Sequence, residues 1–205
     1  MKIKEIKIMK SVLSEEIGWS WPVFLIKCLI RKSSVFKNTH WAKEKSAESE
    51  FAKRLSMAAA AYLNLIEKVG KEKALDMMRK ILVPISVNEM EENLNSFNIS
   101  DIRGIDRLSA FWDSMRKGGV GQFNQETLIK QNSDVLHYQV TNCFFARFYQ
   151  ETGTPELTKL FCEADKEFWP KAFPDFQFHR GSSWENTIAY GKDCCEFIFE
   201  KKIIE

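Results

Sequence analysis

The sequence lacks a block of one charge sign. It has 30 Lys and Arg against 28 Asp and Glu, which leaves a formal net charge of +2 over 205 residues. Nucleic-acid binding would need a basic patch that neutralises phosphates, and the composition supplies none. We therefore expect no nucleic-acid partner.

The sequence also lacks a hydrophobic run long enough to cross a bilayer. Its most apolar stretch, residues 21–30, is about half of the roughly 20 residues required, and Lys27 interrupts it. This stretch predicts a core or docking helix with Pro22 in its first turn, and a helix lying on a membrane surface is the alternative. We expect no cleavable signal peptide, and the five cysteines are an odd number. We expect free thiols, a cytoplasmic location and no membrane span.

No internal repeat, low-complexity tract or Pro-rich linker marks a domain boundary. A hydrophobic content of 44%, with 16 Phe and 6 Trp, is enough for one substantial core. We expect a single domain over residues 1–205, with a helical region at 1–117 and an α/β region at 118–205.

The first region has helical periodicity. Apolar residues recur at spacings of four and three from Phe51 to Ile66, and Gly70 ends that helix. A second helix is predicted from Lys71 to Leu82, stopped by Pro84, and a third from Ile105 to Arg116.

The second region alternates with a period of two. Residues 127–131 and 135–141 predict a hairpin, and residues 176–180 and 194–199 predict two more strands. Helices are predicted after Asn142 and from Thr154-Pro155-Glu156, which carries capping signals. The fold class is therefore α+β, with a helical N-terminal half packed with a small antiparallel β-sheet and helices in the C-terminal half.

Cys143 is the first candidate for chemistry. If Asn142 caps the helix, Cys143 lies in its first turn, where unpaired N–H groups and the helix dipole favour a thiolate. The structural alternative is a buried thiol that behaves as a small hydrophobe, and for an isolated cysteine it is the more frequent case.

Other candidates gain interest from their spacing. Cys162 and Asp165 lie three residues apart on one predicted helix, so they share a flank. Cys195 alternates with two phenylalanines on the last strand, where core packing is the plain interpretation. Arg180 ends a strand and could hold a carboxylate, or form an ordinary salt bridge. Thr187 precedes the last strand and carries a hydroxyl that can orient a ligand.

The cysteine spacings match no zinc or iron–sulfur signature. No cofactor is required by the sequence, and no metal ligands are assigned. Zinc or iron bound by the three distant cysteines with His137 or His179 stays open, because ligands need only converge in space.

Several of these residues occur in an ordered set of short motifs. The set comprises Thr141-Asn-Cys143, the segment from Gln150 to Leu157, Phe161-Cys-Glu-Ala-Asp165, Thr187-Ile-Ala-Tyr-Gly191 and Cys195-Glu-Phe197. Over about residues 136–199 the chain resembles the L-2-amino-thiazoline-4-carboxylic acid hydrolase family.

The resemblance implies hydrolytic opening of a small cyclic amidine to a carbamoyl-cysteine. It implies Cys143 and Asp165 as catalytic residues and a substrate-binding set of Cys162, Arg180, Thr187 and Cys195. The partner is then a small-molecule substrate. Two alternatives remain: a noncatalytic module that binds a small ligand in an aromatic and cysteine-lined cavity, and an interaction protein that would expose a large apolar patch on its helical half.

Overall fold

The computed structural model describes residues 3–97 and 102–203, and the fold within them is α+β, as predicted. The helices are α1 (Ile3–Ile17), α2 (Trp21–Lys37), α3 (Ala47–Val69), α4 (Lys71–Ser96), α5 (Gly104–Lys117), α6 (Phe144–Glu151) and α7 (Glu156–Ala172). The strands are β1 (Gln125–Gln131), β2 (Val135–Asn142), β3 (Phe176–His179) and β4 (Cys195–Lys201). In the described ranges, no helix has the length and apolar character needed to cross a membrane.

The chain divides into two compact units. The first contains residues 1–86 and 148–161, and the second contains residues 87–147 and 162–205. The single domain over residues 1–205 stays a prediction.

The first unit is built on the pair α2 and α3. Phe24, Cys28 and Val35 are the buried residues of α2, and they share one side of that helix. Helix α3 starts at a side-chain cap, because the Ser46 hydroxyl accepts a hydrogen bond from the Ser49 N–H at 3.1 Å. It ends at Gly70, whose φ of 83° suits glycine.

The predicted end of the next helix is wrong. Helix α4 continues through Pro84 to Ser96, although proline removes one backbone hydrogen bond at a cost of about 3 kcal/mol. Ile81, Val83 and Val87 are all buried on the adjoining turns. Burial of these side chains offsets the lost bond, which a local propensity argument does not include.

The second unit contains an antiparallel sheet with the strand order β1-β2-β4-β3. The predicted hairpin of β1 and β2 is present, and β4 pairs with β2 on its other side. Leu136 lies opposite Phe199 and Val140 lies opposite Cys195, so the residues that alternate on these strands face one core.

Aromatic rings fill the core on that face. Trp112 of α5 stacks on Tyr138 with ring centroids 4.9 Å apart and on Trp169 at 5.6 Å. Phe199 of β4 meets Trp169 edge to face at 4.9 Å. Such pairs stabilise the core beyond the burial of their surface, and they hold α5, α7 and the sheet together.

We predict that Trp112→Ala lowers the free energy of unfolding by about 3–5 kcal/mol, because it leaves a cavity among these rings. Urea unfolding followed by circular dichroism measures the loss. The control is Trp19→Ala, the same substitution at a side chain that is 99% exposed. Equal stability of the two variants would contradict the packing role of Trp112.

Candidate active site

One end of the sheet gathers the predicted site residues. Strands β2 and β3 end there and β4 begins there, because β4 runs antiparallel to both. Six side chains meet at this place and affect one another's pKa values or form direct bonds. We call them the sheet-end cluster: Cys143, Cys162, Asp165, Arg180, Thr187 and Cys195.

Cys143 is itself the N-cap of α6, one residue from the predicted position. Its carbonyl accepts the first helical hydrogen bond, from the Arg147 N–H at 3.1 Å. The backbone N–H groups of Ala146 and Phe145 donate to its sulfur. A thiol here takes the place of the usual cap hydroxyl or carboxylate, and it stays partly exposed.

The expected thiolate at Cys143 is not what this environment favours at neutral pH. Burial raises the pKa of the thiol to about 11, and the hydrogen bonds from Ala146 and Phe145 oppose this only in part. The neighbouring Cys162 and Asp165 raise the pKa further. Cys143 therefore needs a partner that accepts its proton.

Asp165 and Cys162 lie on α7, on the flank predicted from their spacing. Burial raises the pKa of the Asp165 carboxyl to about 6, and the charge of Arg180 opposes the rise. The Trp169 indole N–H also opposes it, without closing a full hydrogen bond. Although protein surrounds the carboxyl, 21% of the side-chain surface remains exposed.

Arg180 forms an ion pair with Asp165. Its Nη2 donates to Asp165 Oδ2 at 2.8 Å, and its Nη1 donates to the backbone carbonyl of Glu196 at 3.2 Å. Arg180 is only 1% exposed. Its Nε has no hydrogen-bond partner in residues 3–97 and 102–203. The pair is the charge compensation that a buried guanidinium requires.

Aromatic rings and one amide fix this guanidinium. Its central carbon lies 3.6 Å from the ring centroid of Phe197 and 5.2 Å from that of Trp184. The Asn186 amide donates to the backbone carbonyl of Arg180 at 3.1 Å. The sequence argument missed these supports. Phe197 could have been found from its alternation with Cys195 on β4, whereas the loop residues give no periodic signal.

The other two thiols of the cluster are more deeply buried. Burial raises the pKa of Cys162 and of Cys195 to about 12. The sulfur of Cys195 accepts a hydrogen bond from the Ile188 N–H at 3.2 Å. The Thr187 hydroxyl lies near Cys162 and lowers its pKa, yet it is fully buried and closes no hydrogen bond within the described part of the chain.

The two histidines considered as metal ligands lie on the opposite face of the sheet. His137 pairs with Glu196, which points away from Cys195, and His179 Nε2 lies 3.3 Å from a Glu200 carboxylate oxygen. Among the residues that the structure describes, no group of three or more His, Cys, Asp or Glu is arranged to hold a metal ion. The three cysteines of the open zinc or iron alternative meet in the sheet-end cluster, but neither histidine joins them.

Comparison with known proteins gives a family match over most of the chain. The family model described as L-2-amino-thiazoline-4-carboxylic acid hydrolase matches residues 49–199. The match includes every member of the sheet-end cluster, and it extends the resemblance seen over residues 136–199 into the helical region.

Two solved structures also align with the chain over nearly all of its length. Both are of the Fe(II) unliganded H-NOX protein from K. algicida, one of them a mutant. The first is 9% identical, covers 100% of this chain and 98% of its own, and has a TM-score of 0.36. The mutant is 10% identical, covers 99% and 97%, and has a TM-score of 0.35. No curated protein matches this sequence.

We predict that Asp165→Asn changes how stability depends on pH. The pKa of Asp165 is about 6 in the folded protein and 3.8 as the ordinary value, so the folded state holds the proton more tightly. The stability that the folded protein gains from the protonated Asp165 is present below about pH 4 and is lost as the pH rises through about 6.

Urea unfolding at about pH 4 and about pH 7 measures the effect. Asp165→Asn imitates the protonated carboxyl, so its stability should be close to that of wild type at about pH 4. As the pH rises toward neutrality, wild type loses about 3 kcal/mol of stability through the ionisation of Asp165, and the variant does not. Asp175→Asn, at an exposed aspartate, is the control. The same pH dependence in wild type and Asp165→Asn would refute the raised pKa.

Proposed function

This chain belongs to the L-2-amino-thiazoline-4-carboxylic acid hydrolase family, and we propose that it is a hydrolase of a small cyclic amidine. The proposed substrate is L-2-amino-thiazoline-4-carboxylate or a close relative, and the product is a carbamoyl-cysteine. A cytoplasmic location, where thiols stay reduced, is part of the proposal.

The placement of Asp165 carries this proposal. A binding module can leave such a carboxylate in solvent, whereas a hydrolase needs a proton-transfer group beside the reacting atom. Asp165 lies among three thiols, and its pKa of about 6 leaves it largely ionised at neutral pH yet still able to accept a proton. This favours the hydrolase over the noncatalytic alternative.

In the first step, Asp165 takes the proton of Cys143 as the sulfur attacks the amidine carbon of the ring. A thiol with a pKa of about 11 reacts only with such assistance at neutral pH. The bond between that carbon and a ring heteroatom then breaks, and the proton held by Asp165 goes to the departing atom. The opened substrate stays attached to Cys143.

In the second step, water adds to the same carbon while Asp165 accepts a proton from it. The proton that Asp165 now holds passes to the sulfur as the bond to Cys143 breaks, and the added hydroxyl gives its proton to the substrate nitrogen. This releases a carbamoyl-cysteine and restores the site. The net change is the addition of one water molecule. In each step Asp165 thus acts first as base and then as acid.

The remaining members of the sheet-end cluster bind the substrate in this proposal. Arg180 attracts the substrate carboxylate through its positive charge. Thr187 supplies a hydroxyl that orients water or the exocyclic amine, which accounts for a buried hydroxyl without a hydrogen bond in the described residues. Cys162 and Cys195 line the pocket.

We expect purified wild-type protein to convert L-2-amino-thiazoline-4-carboxylate to a carbamoyl-cysteine, and Cys143→Ser to lose at least about 1,000-fold in kcat. Mass spectrometry of the product measures both. Cys194→Ser is the matched control. Cys194 precedes Cys195 in the sequence, but its side chain lies outside the sheet-end cluster and donates a hydrogen bond to Glu196.

Two results would refute parts of this proposal separately. Absence of turnover by metal-replete wild-type protein refutes the substrate, and equal turnover by wild type and Cys143→Ser refutes the nucleophile. Metal content and chelator sensitivity of the same preparation test the alternative in which a cysteine-bound zinc activates water.

We further expect kcat/KM to rise with pH through about 6, about tenfold per pH unit below that value, because Asp165 works as a base. Asp165→Asn should lose the activity, including the rise of kcat/KM with pH. Asp175→Asn should keep both. A wild-type rate that is flat between about pH 5 and about pH 8 would remove Asp165 from the mechanism.

A further inference from the structure

Helix α2 is apolar on two opposite sides. One side is buried through Phe24, Cys28 and Val35, as a packed helix requires. The other side is exposed and also apolar, which a helix on a protein surface usually avoids. We call it the apolar surface, formed by Trp19 (99% exposed), Val23 (57%), Ile26 (57%), Leu29 (58%) and Ile30 (71%).

The spacing of these residues makes the apolar surface continuous. Val23, Ile26 and Ile30 follow one another at steps of three and four, so they lie on one face of α2. Trp19 lies two residues before the helix and four before Val23, so it extends the same run. Because α2 is anchored from behind, where Arg31 bonds to Asn64 at 2.9 Å and to Glu67 at 2.6 Å, the exposed side cannot turn inward.

The total charge of the chain is nearly neutral, but positive charge is in excess around the apolar surface. The 27 residues from Ile17 to Lys43 contain five Lys or Arg and no Asp or Glu. Lys27 and Lys37 are exposed on α2, and Lys27 directly follows Ile26. The apolar surface is therefore bordered by cations alone along the helix that carries it.

Helix α1 adds to the same charge. Lys10 is exposed, and its ammonium lies 6.0 Å from the ring centroid of Trp21 at the start of α2. Lys7 is exposed one turn away on the same flank. Helix α1 also contains Glu5, Glu15 and Glu16, and Glu16 forms ion pairs with Lys73 at 2.9 Å and Lys80 at 3.4 Å.

We propose that the apolar surface of α2 docks on an anionic lipid bilayer. The helix lies along the membrane, Trp19 and the aliphatic side chains enter the boundary between headgroups and acyl chains, and Lys7, Lys10 and Lys27 contact the anionic headgroups. The membrane is a surface here, since α2 is too short and too interrupted to cross it.

A second copy of the chain fits this surface less well. A symmetric dimer through α2 would place two copies of the same patch face to face, so two sets of lysines without acidic partners on α2 would meet. Like charges at an interface disfavour association, whereas anionic lipids supply the complementary charge. The proposal does not depend on the hydrolase activity.

The test is co-sedimentation of the full chain with lipid vesicles. We expect it to bind vesicles of phosphatidylcholine mixed with phosphatidylglycerol about tenfold more tightly than vesicles of phosphatidylcholine alone, and to be released by high salt. Ile30→Glu and Lys27→Glu, both at exposed positions, weaken binding about tenfold or more.

The matched control is Ile203→Glu, the same change at a side chain that is 91% exposed outside α2. It should bind the mixed vesicles as wild type does, and circular dichroism should show the same fold in all variants. Equal binding by Ile30→Glu and wild type, or no binding to mixed vesicles, would overturn the proposal. So would a wild-type dimer in sedimentation equilibrium that Ile30→Glu dissociates without any vesicle binding.

Discussion

The ion pair between Arg180 and Asp165 links the end of the sheet to α7. Arg180 is almost fully buried, so its charge needs a partner, and Asp165 supplies it at 2.8 Å. The same contact sets the chemistry of Asp165, because burial raises the pKa of the carboxyl while the guanidinium limits the rise. Phe197 holds the guanidinium from one side. The candidate site therefore depends on packing as much as on charge.

The sequence was informative where one local pattern decides the structure. The alternation from Val135 to Thr141 correctly predicted a strand with one buried face, and the spacing of Cys162 and Asp165 correctly predicted a shared flank. The ordered motifs over residues 136–199 correctly predicted the family whose model matches residues 49–199. The C-terminal ends of β2 and β3 lie beside the N-terminal end of β4, so the predicted site residues come together at one place in the second unit.

The sequence was uninformative where the outcome depends on distant contacts. Pro84 indicated a helix end, but buried side chains on both adjoining turns keep α4 intact. The helix start at Cys143 suggested a thiolate, but burial outweighs the helix N–H groups and raises the pKa of the thiol. The apolar stretch at residues 21–30 suggested a docking or membrane-surface helix, but the net charge of +2 did not show that cations gather around its exposed side. Burial is known only once the neighbours are in place.

The titration of Asp165 tests the account most directly. Carbon-13 NMR of the labelled carboxyl group follows its ionisation in the folded protein without requiring a substrate. The account predicts a pKa of about 6 in the wild type, and a higher pKa in Arg180→Met, because Arg180 lowers it. A wild-type value at the ordinary 3.8, or no response to the loss of Arg180, would contradict the claim that this buried pair prepares Asp165 for proton transfer.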